Sequence, residues 1–243
     1  MRLIVDLAAS DPAVGLATDE ALLESVRDGG AEVARLWVND RAVIVGRAQA
    51  IASEVDLDAA VAEGIPVLRR ISGGGTVYHY TGNLNVSVVL AGRSGDVAEA
   101  FEHWGGAIRD GLATLPLRVE VCGNRLLFED RKLGGAAQVR RAAAMLYHST
   151  VLVRPARPAM DRFLLAHRPG YRTNGIRSRP EPTVTVSEAV GRVVNLETAA
   201  DAVRRGLAGA RDLELDDLSD RERRRARSLV ETKYGRREWN ASR

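Results

Sequence analysis

The sequence predicts a single domain of mixed helix and strand, compatible with the α+β class. Its 243 residues lie within the roughly 250 that one domain can hold. Short β-branched runs are interspersed with amphipathic helical stretches along the whole length. No repeat, low-complexity run or Pro/Ser-rich linker marks a boundary within residues 1–243.

The elements follow in order. Leu3–Leu7 is a β-branched strand, and Pro12–Arg27 a helix with Leu16, Leu22, Leu23 and Val26 at helical spacing and Gly29-Gly30 as its stop. Ala34–Val38 and Ala42–Gly46 read as two short strands joined by a hairpin turn at Asn39-Asp40. Ser53 with Asp56 has the spacing of a capping box, opening a helix that Gly64 closes. Pro66–Ser72 is a strand, and Leu84–Leu90 a strongly apolar one. Asp96–Leu115 is a long helix whose Val97, Phe101, Trp104, Ile108 and Leu112 form a core stripe. Leu117–Val121 with Arg125–Phe128, and Leu133–Arg140 with His148–Val153, are expected as strand pairs. Pro158–Leu165 reads as a short helix. His167–Pro182 reads as a long loop carrying four arginines, and such a loop in a compact domain is commonly functional. Thr185 with Glu188 opens one of the last helices, Leu196–Leu207 is another, and Ser219 with Glu222 caps the final one, ended by Gly235.

Composition narrows the class. With 45% hydrophobic and 28% charged residues and a formal charge of +3, this is an ordinary globular chain. Its basic residues are spread along the sequence and few aromatics could stack on bases, so no nucleic-acid partner is expected. No segment approaches the ~18 apolar residues of a membrane span, and the first residues lack a signal peptide. The single cysteine, Cys122, excludes an internal disulfide and fits a reducing cytoplasm.

Two stretches carry chemistry. Only Lys132 and Lys233 among the 35 basic side chains are lysines. Lys132 stands in Arg131-Lys-Leu-Gly-Gly-Ala-Ala-Gln138, where small residues admit a substrate close to the backbone. A compact ammonium offers three rotatable donors that a guanidinium does not; the alternative is a solvated lysine before a turn. In Arg69-Arg70-Ile-Ser72-Gly73-Gly74-Gly75-Thr76-Val77-Tyr78-His79, three glycines free the backbone to turn N–H groups into an anion-binding concavity. The plainer alternative is a Gly-rich hairpin with surface arginines. This is no Walker A loop, since its lysine-serine/threonine end is absent.

Taken together these residues form a more specific pattern. Arg70-x-Ser72-Gly-Gly-Gly-x-Val77-x-His79, Gly-Asn83-Leu84, Asn124, Lys132-x-Gly-x-Ala136 and His148 resemble the catalytic domain of lipoate–protein ligases. The likeness extends from Glu20-Ala21-Leu22 and Gly46-Arg47-x-Gln49 to Lys233-Tyr234-Gly-Arg236-x-Glu238-Trp239-Asn240. It implies an α+β fold of mostly antiparallel sheets flanked by helices, the biotin/lipoate-ligase fold related to class II synthetases. It implies a two-step reaction: lipoate or octanoate and MgATP give acyl-AMP and pyrophosphate, and the acyl group passes to a lysine of a lipoyl-acceptor domain.

The resemblance also implies roles. Arg70, Gly75, Thr76, Val77 and Tyr78 would hold the nucleotide phosphates. Lys132 would be the catalytic group, touching the lipoate carboxylate and the α-phosphate. Ser72, Gly73, Gly74 and Gly75 would border the apolar lipoyl tunnel. His79, Asn83, Asn124, Gly135, Ala136 and His148 stand in the matching motifs, and Arg177 in the loop that would close over the adenylate. ATP, Mg2+ and lipoate are thus expected as substrates, with no prosthetic group and no protein-held metal site, because neither histidine has a ligand at suitable spacing. Tyr80 and Arg125 depart from the family pattern, which commonly has aspartate at both places. The chain stops at the Glu-Trp-Asn motif, so no additional C-terminal accessory domain is expected, and a separate accessory protein is left open as a partner.

Two other readings stay in view. A sister octanoyl- or lipoyl-transferase would work through a thioester without ATP, with Cys122 as nucleophile. A non-catalytic lipoyl-binding paralogue would keep the same pocket and turn nothing over.

Overall fold

The computed structural model describes residues 1–92 and 95–242. In chain order come β1 (Arg2–Ser10), α1 (Pro12–Arg27), β2 (Val33–Asn39), β3 (Ala42–Val45), α2 (Ile51–Glu54), α3 (Leu57–Ala62), β4 (Val67–Arg69), β5 (Val77–His79) and β6 (Asn83–Ala91). Then follow α4 (Val97–Leu112), β7 (Glu120–Cys122), β8 (Arg125–Phe128), β9 (Arg131–Arg141), β10 (Ala144–Leu152), α5 (Val186–Val190), α6 (Leu196–Ala210), β11 (Glu214–Leu215), α7 (Asp220–Leu229) and α8 (Arg237–Asn240).

Eight strands form one sheet in the order β11-β1-β2-β6-β10-β9-β8-β7, and β4-β3-β5 form a second. In the large sheet β1 is parallel to β2 and β11, and all other neighbours are antiparallel. This is the expected α+β organisation. Alternation along β6 builds it: Leu84, Val86 and Val88 enter the core that α4 and α6 cover, while the period of two sends Asn83, Asn85 and Ser87 to the other face. A second core lies under α1 and α7. Helix α1 begins where the sequence indicated, with Pro12 in its first turn and the Asp11 carboxylate accepting from the Ala13 and Val14 N–H groups. Among the described residues no helix is long and apolar enough to cross a membrane.

Several expectations need correction. The Asn39-Asp40 hairpin does not form: β2 pairs with β1 and β6, whereas β3 lies in the other sheet between β4 and β5. The turn residues mark the bend but not its destination, and the Asp40 N–H goes to Ser10 O instead. Ser53 is not a cap; Asp56 itself caps α3, accepting from Ala59 N. The glycine-rich stretch is not a hairpin either, because β4 and β5 flank β3 and do not pair with each other. Residues 158–165 hold only short 3-10 turns. Lys132 precedes no turn but sits within β9.

Candidate functional site

One cavity of about 480 Å³ gathers most of the expected residues. Its floor is a row across the large sheet, Trp37–Asn85–Thr150–Gly135, each the direct partner of the next. Beside it, in the parallel row, stand His148 and Ala137. The buried end is lined by Leu16, Trp37, Ile44 and Asn85, and the open end by the exposed Cys122, Asn124, Arg177 and Arg179.

Lys132 reaches this floor through a bulge. The β8–β9 register shifts so that Leu126 faces Gly134 while Leu127 faces Lys132, leaving Leu133 as the extra residue. An unbroken strand would put Lys132 and Gly135 on opposite faces, and the bulge brings them to one. A Cβ at Gly135 would lie 2.9 Å from Lys132 Cε and 3.3 Å from Nζ, so the lysine stem folds across the bare glycine. Lys132 is pinned by its backbone as well, its N–H bonding Pro182 O at 2.8 Å and its carbonyl accepting from Val184 N at 3.0 Å.

The glycine loop is shaped by arginine from beneath. Arg70 is buried, not a surface side chain. It donates to the Gly73 and Gly75 carbonyls at 2.6 and 2.7 Å, to Ile44 O at 3.1 Å and to Ser72 Oγ at 3.0 Å. Burial lowers its guanidinium to about 10, which leaves it charged at neutral pH. Gly46 lets the loop close, since a Cβ there would meet Gly74 O at 2.1 Å.

Ser72 Oγ lies 2.6 Å from His148 Nε2, and His148 Nδ1 lies 3.8 Å from the buried Asp19. Burial raises Asp19, but His148, Arg35 and Ser87 outweigh that and hold the carboxyl below its usual value. Burial, helped by Arg70 and His148, lowers His79 to about 3, so it is a neutral imidazole facing Asn39.

The Arg-rich loop bridges the site. Ser178 Oγ holds the glycine loop by accepting from Thr76 N at 2.9 Å and from Gln49 Nε2 at 3.0 Å, and it donates to Glu54 at 2.5 Å. Three residues on, the Glu181 carboxylate lies 2.5 Å from Arg125 and 3.4 Å from Lys132. Burial raises Glu181, and Arg125 and Lys132 bring it below its ordinary value. Of the loop's arginines, Arg177 and Arg179 line the cavity, while Arg168 is turned away onto Asp56 at 2.8 Å.

Not every expected residue meets the main cavity. Arg70, Gly74, Gly75, Thr76, Val77, His79, Asn124, Lys132, Gly135, Ala136, His148 and Arg177 line it. Ser72 is enclosed behind the loop and Gly73 faces solvent. Tyr78 and Asn83 border instead a smaller adjoining cavity of about 80 Å³. The Tyr78 ring packs between Tyr80 and Phe163, because β5 alternates and sends it to the far side from Val77 and His79. Tyr80 is a core residue whose hydroxyl donates to Arg154 O at 2.6 Å.

The family described as the lipoyl protein ligase A/B catalytic domain matches residues 11–208. The lipoate-protein ligase A subunit 1 of Thermoplasma acidophilum is 30% identical over 98% of this chain and 95% of its own. The chain belongs to this family. An octanoyltransferase LipM of Symbiobacterium thermophilum is 31% identical over 83% of each chain. Among solved structures, a lipoate-protein ligase A bound with ATP superposes with a TM-score of 0.86 at 29% identity, covering 99% of this chain and 98% of that one. A bipartite lipoate protein ligase described with its E2 lipoyl domain, from Thermoplasma acidophilum, gives 0.86 at 29% identity over 99% and 95%.

Several residues of this candidate site were not among those the sequence singled out. Glu181, Ser178 and Glu54 carry no motif of their own, and only the fold brings them to the loop and to Lys132. Asn85 lay inside Leu84–Leu90, read as a strongly apolar strand. Its signal was the alternation Asn83-Leu-Asn85-Val-Ser87, which marks a strand with one polar face.

Proposed function

We propose that this chain activates lipoate, or its eight-carbon relative octanoate, with ATP and passes the acyl group to a lysine of a lipoyl-acceptor domain. The observation that supports this best is the joining of a buried channel end lined by Leu16, Trp37 and Ile44 to a mouth that carries Lys132, Arg177 and Arg179. The carboxylate would lie at Lys132 and the hydrocarbon along the sheet row toward Trp37.

The chemistry follows from the residues. The carboxylate oxygen attacks the α-phosphorus of ATP and pyrophosphate leaves. The acceptor amine then attacks the carbonyl of the mixed anhydride and AMP leaves. Lys132, Arg177 and Arg179 would supply positive charge where negative charge accumulates. Magnesium would arrive with ATP, bound mainly by phosphates and water. Glu181 is a carboxylate at that mouth, paired with Arg125 and Lys132.

We read residues 1–243 as one catalytic domain and place it in the cytoplasm, where the exposed Cys122 thiol stays reduced. The relative named a subunit 1 supports a separate accessory subunit as a partner. Lipoate-dependent exchange of labelled pyrophosphate into ATP tests the activation step. Purified chain with lipoate, MgATP and a lipoyl domain tests the whole; transfer from pre-made lipoyl-AMP without acyl-AMP synthesis would show that adenylation needs a partner.

A transferase reading has an observation of its own. Cys122 lines the mouth of the cavity with Lys132, and Arg125 donates to its Sγ at 2.9 Å. Under the ligase reading Cys122→Ser keeps most activity. An acyl-thioester found by mass spectrometry on the parent chain after exposure to octanoyl-acyl-carrier protein, and missing from the variant, would replace that reading.

A further inference from the structure

The floor of the cavity is a ruler with a polar mark on it. Neighbouring strands are about 4.8 Å apart, so Asn85 on β6 lies roughly 10 Å from Gly135 on β9, two strands away. Lys132 Nζ stands above Gly135. An extended eight-carbon acid with C–C bonds of about 1.5 Å spans roughly the same length. With its carboxylate at Lys132, its far end arrives at Asn85.

Asn85 is 2% exposed. Its Oδ1 accepts from Asn83 Nδ2 at 3.0 Å. That leaves Nδ2, a buried donor with no hydrogen-bond partner among the described residues, on a side chain that lines the cavity beside Trp37, its direct cross-strand neighbour. A donor held there without an acceptor is costly unless the ligand supplies one. The indole Nε1 of Trp37 is already committed to Ser87 Oγ at 2.9 Å, so Asn85 is the group that meets the ligand's tip.

We infer that Asn85 selects an acid whose far end carries a hydrogen-bond acceptor, the dithiolane sulfur of lipoate, over one ending in hydrocarbon. This rests on the acid-activating reading above and adds the preference within it. Sulfur is a weak acceptor but a soft one that fits a partly apolar pocket. Octanoate would set a methyl group against Nδ2 and leave that donor desolvated and unpaired. Sites built to hydrogen-bond a ligand group reject the analogue lacking it more strongly than apolar pockets reject a size change.

Calorimetric titration of the full chain with lipoate, octanoate and 5-cyclopentylpentanoate, the carbocycle with both sulfurs replaced by methylene, tests it. The chain should bind lipoate about tenfold tighter than either sulfur-free acid. Asn85→Val should erase that preference while still binding octanoate. Equal binding of the three acids by the parent chain, as a water retained on Nδ2 would produce, would overturn the inference alone. So would a preference that survives in Asn85→Val. The comparison on the parent chain stands even if the variant folds poorly. Binding of none of the three would bring down the proposed function and this preference with it.

Discussion

Lys132 owes its position to two local features, the extra residue Leu133 in β9 and the missing side chain at Gly135. The first turns the ammonium toward the cavity, and the second lets its stem lie flat there. Lys132→Arg keeps the charge but not the compact donor, and losing one such donor to the developing oxyanion costs about 10²–10³ in rate. Acyl transfer by that variant within a few-fold of the parent would make Lys132 structural. Gly135→Ala probes the second feature. The added methyl crowds the flexible end of the lysine and meets Asn124 O at an ordinary 3.9 Å, so stability should change by under about 1 kcal/mol. Displacing the ammonium by about an ångström should still cost 10- to 100-fold in turnover. Paired measurements of urea unfolding and transfer rate separate the two effects.

At the scale of elements, the glycine loop is held from behind by the C-terminal helix. Asn240 Oδ1 accepts from Arg69 N at 2.9 Å, Asn240 Nδ2 donates to Tyr234 O at 2.8 Å, and Trp239 Nε1 donates to Arg69 O at 2.8 Å. Lys233 and Tyr234 meanwhile fix Glu20 on α1, each at 2.7 Å. Asn240→Ala removes the amide's hydrogen bonds to the Arg69 N–H and the Tyr234 carbonyl, so it should lower unfolding stability by about 1–3 kcal/mol. An unchanged urea midpoint would show that α8 does not anchor the loop. Local signals made several helices legible, although the Ser53/Asp56 spacing placed its cap wrongly. The apolar spacing after Pro12 marked α1, the Thr185/Glu188 and Ser219/Glu222 boxes marked their helices, and both boxes are formed. What stayed hidden was non-local. Asn39-Asp40 announces a bend without saying which sheet comes next. Nothing in Leu133 announces a bulge, and Glu181 meets Lys132 only because residues 182–184 bond to the Lys132 backbone. Most of the motif residues line one cavity, while the groups that press on them from other elements carried no sequence signal.

For the whole molecule, the buried polar layer between α1, the glycine loop and the large sheet makes stability depend on pH. His79 titrates near 6.5 when unfolded, and its native value is lowered to about 3 by burial and by Arg70 and His148. The unfolded chain therefore takes up the proton first. The contribution is complete above about pH 6.5 and is lost progressively as pH falls toward about 3, with a slope of at most roughly 1.4 kcal/mol per pH unit for one group. His167, also lowered by burial, acts in the same direction. Glu222, held at about 2, and Asp19 add their losses only below the ordinary carboxylate range, so the interval from about pH 6.5 to 4.5 reports the histidines. Urea midpoints should be level from about pH 8 to 7 and fall steadily through that interval. His79→Gln, which keeps a polar group opposite Asn39, should remove the larger share of the slope even if it lowers the plateau. A slope unchanged in that variant would assign the acid sensitivity to another group and show that His79 is not the buried neutral imidazole of this layer.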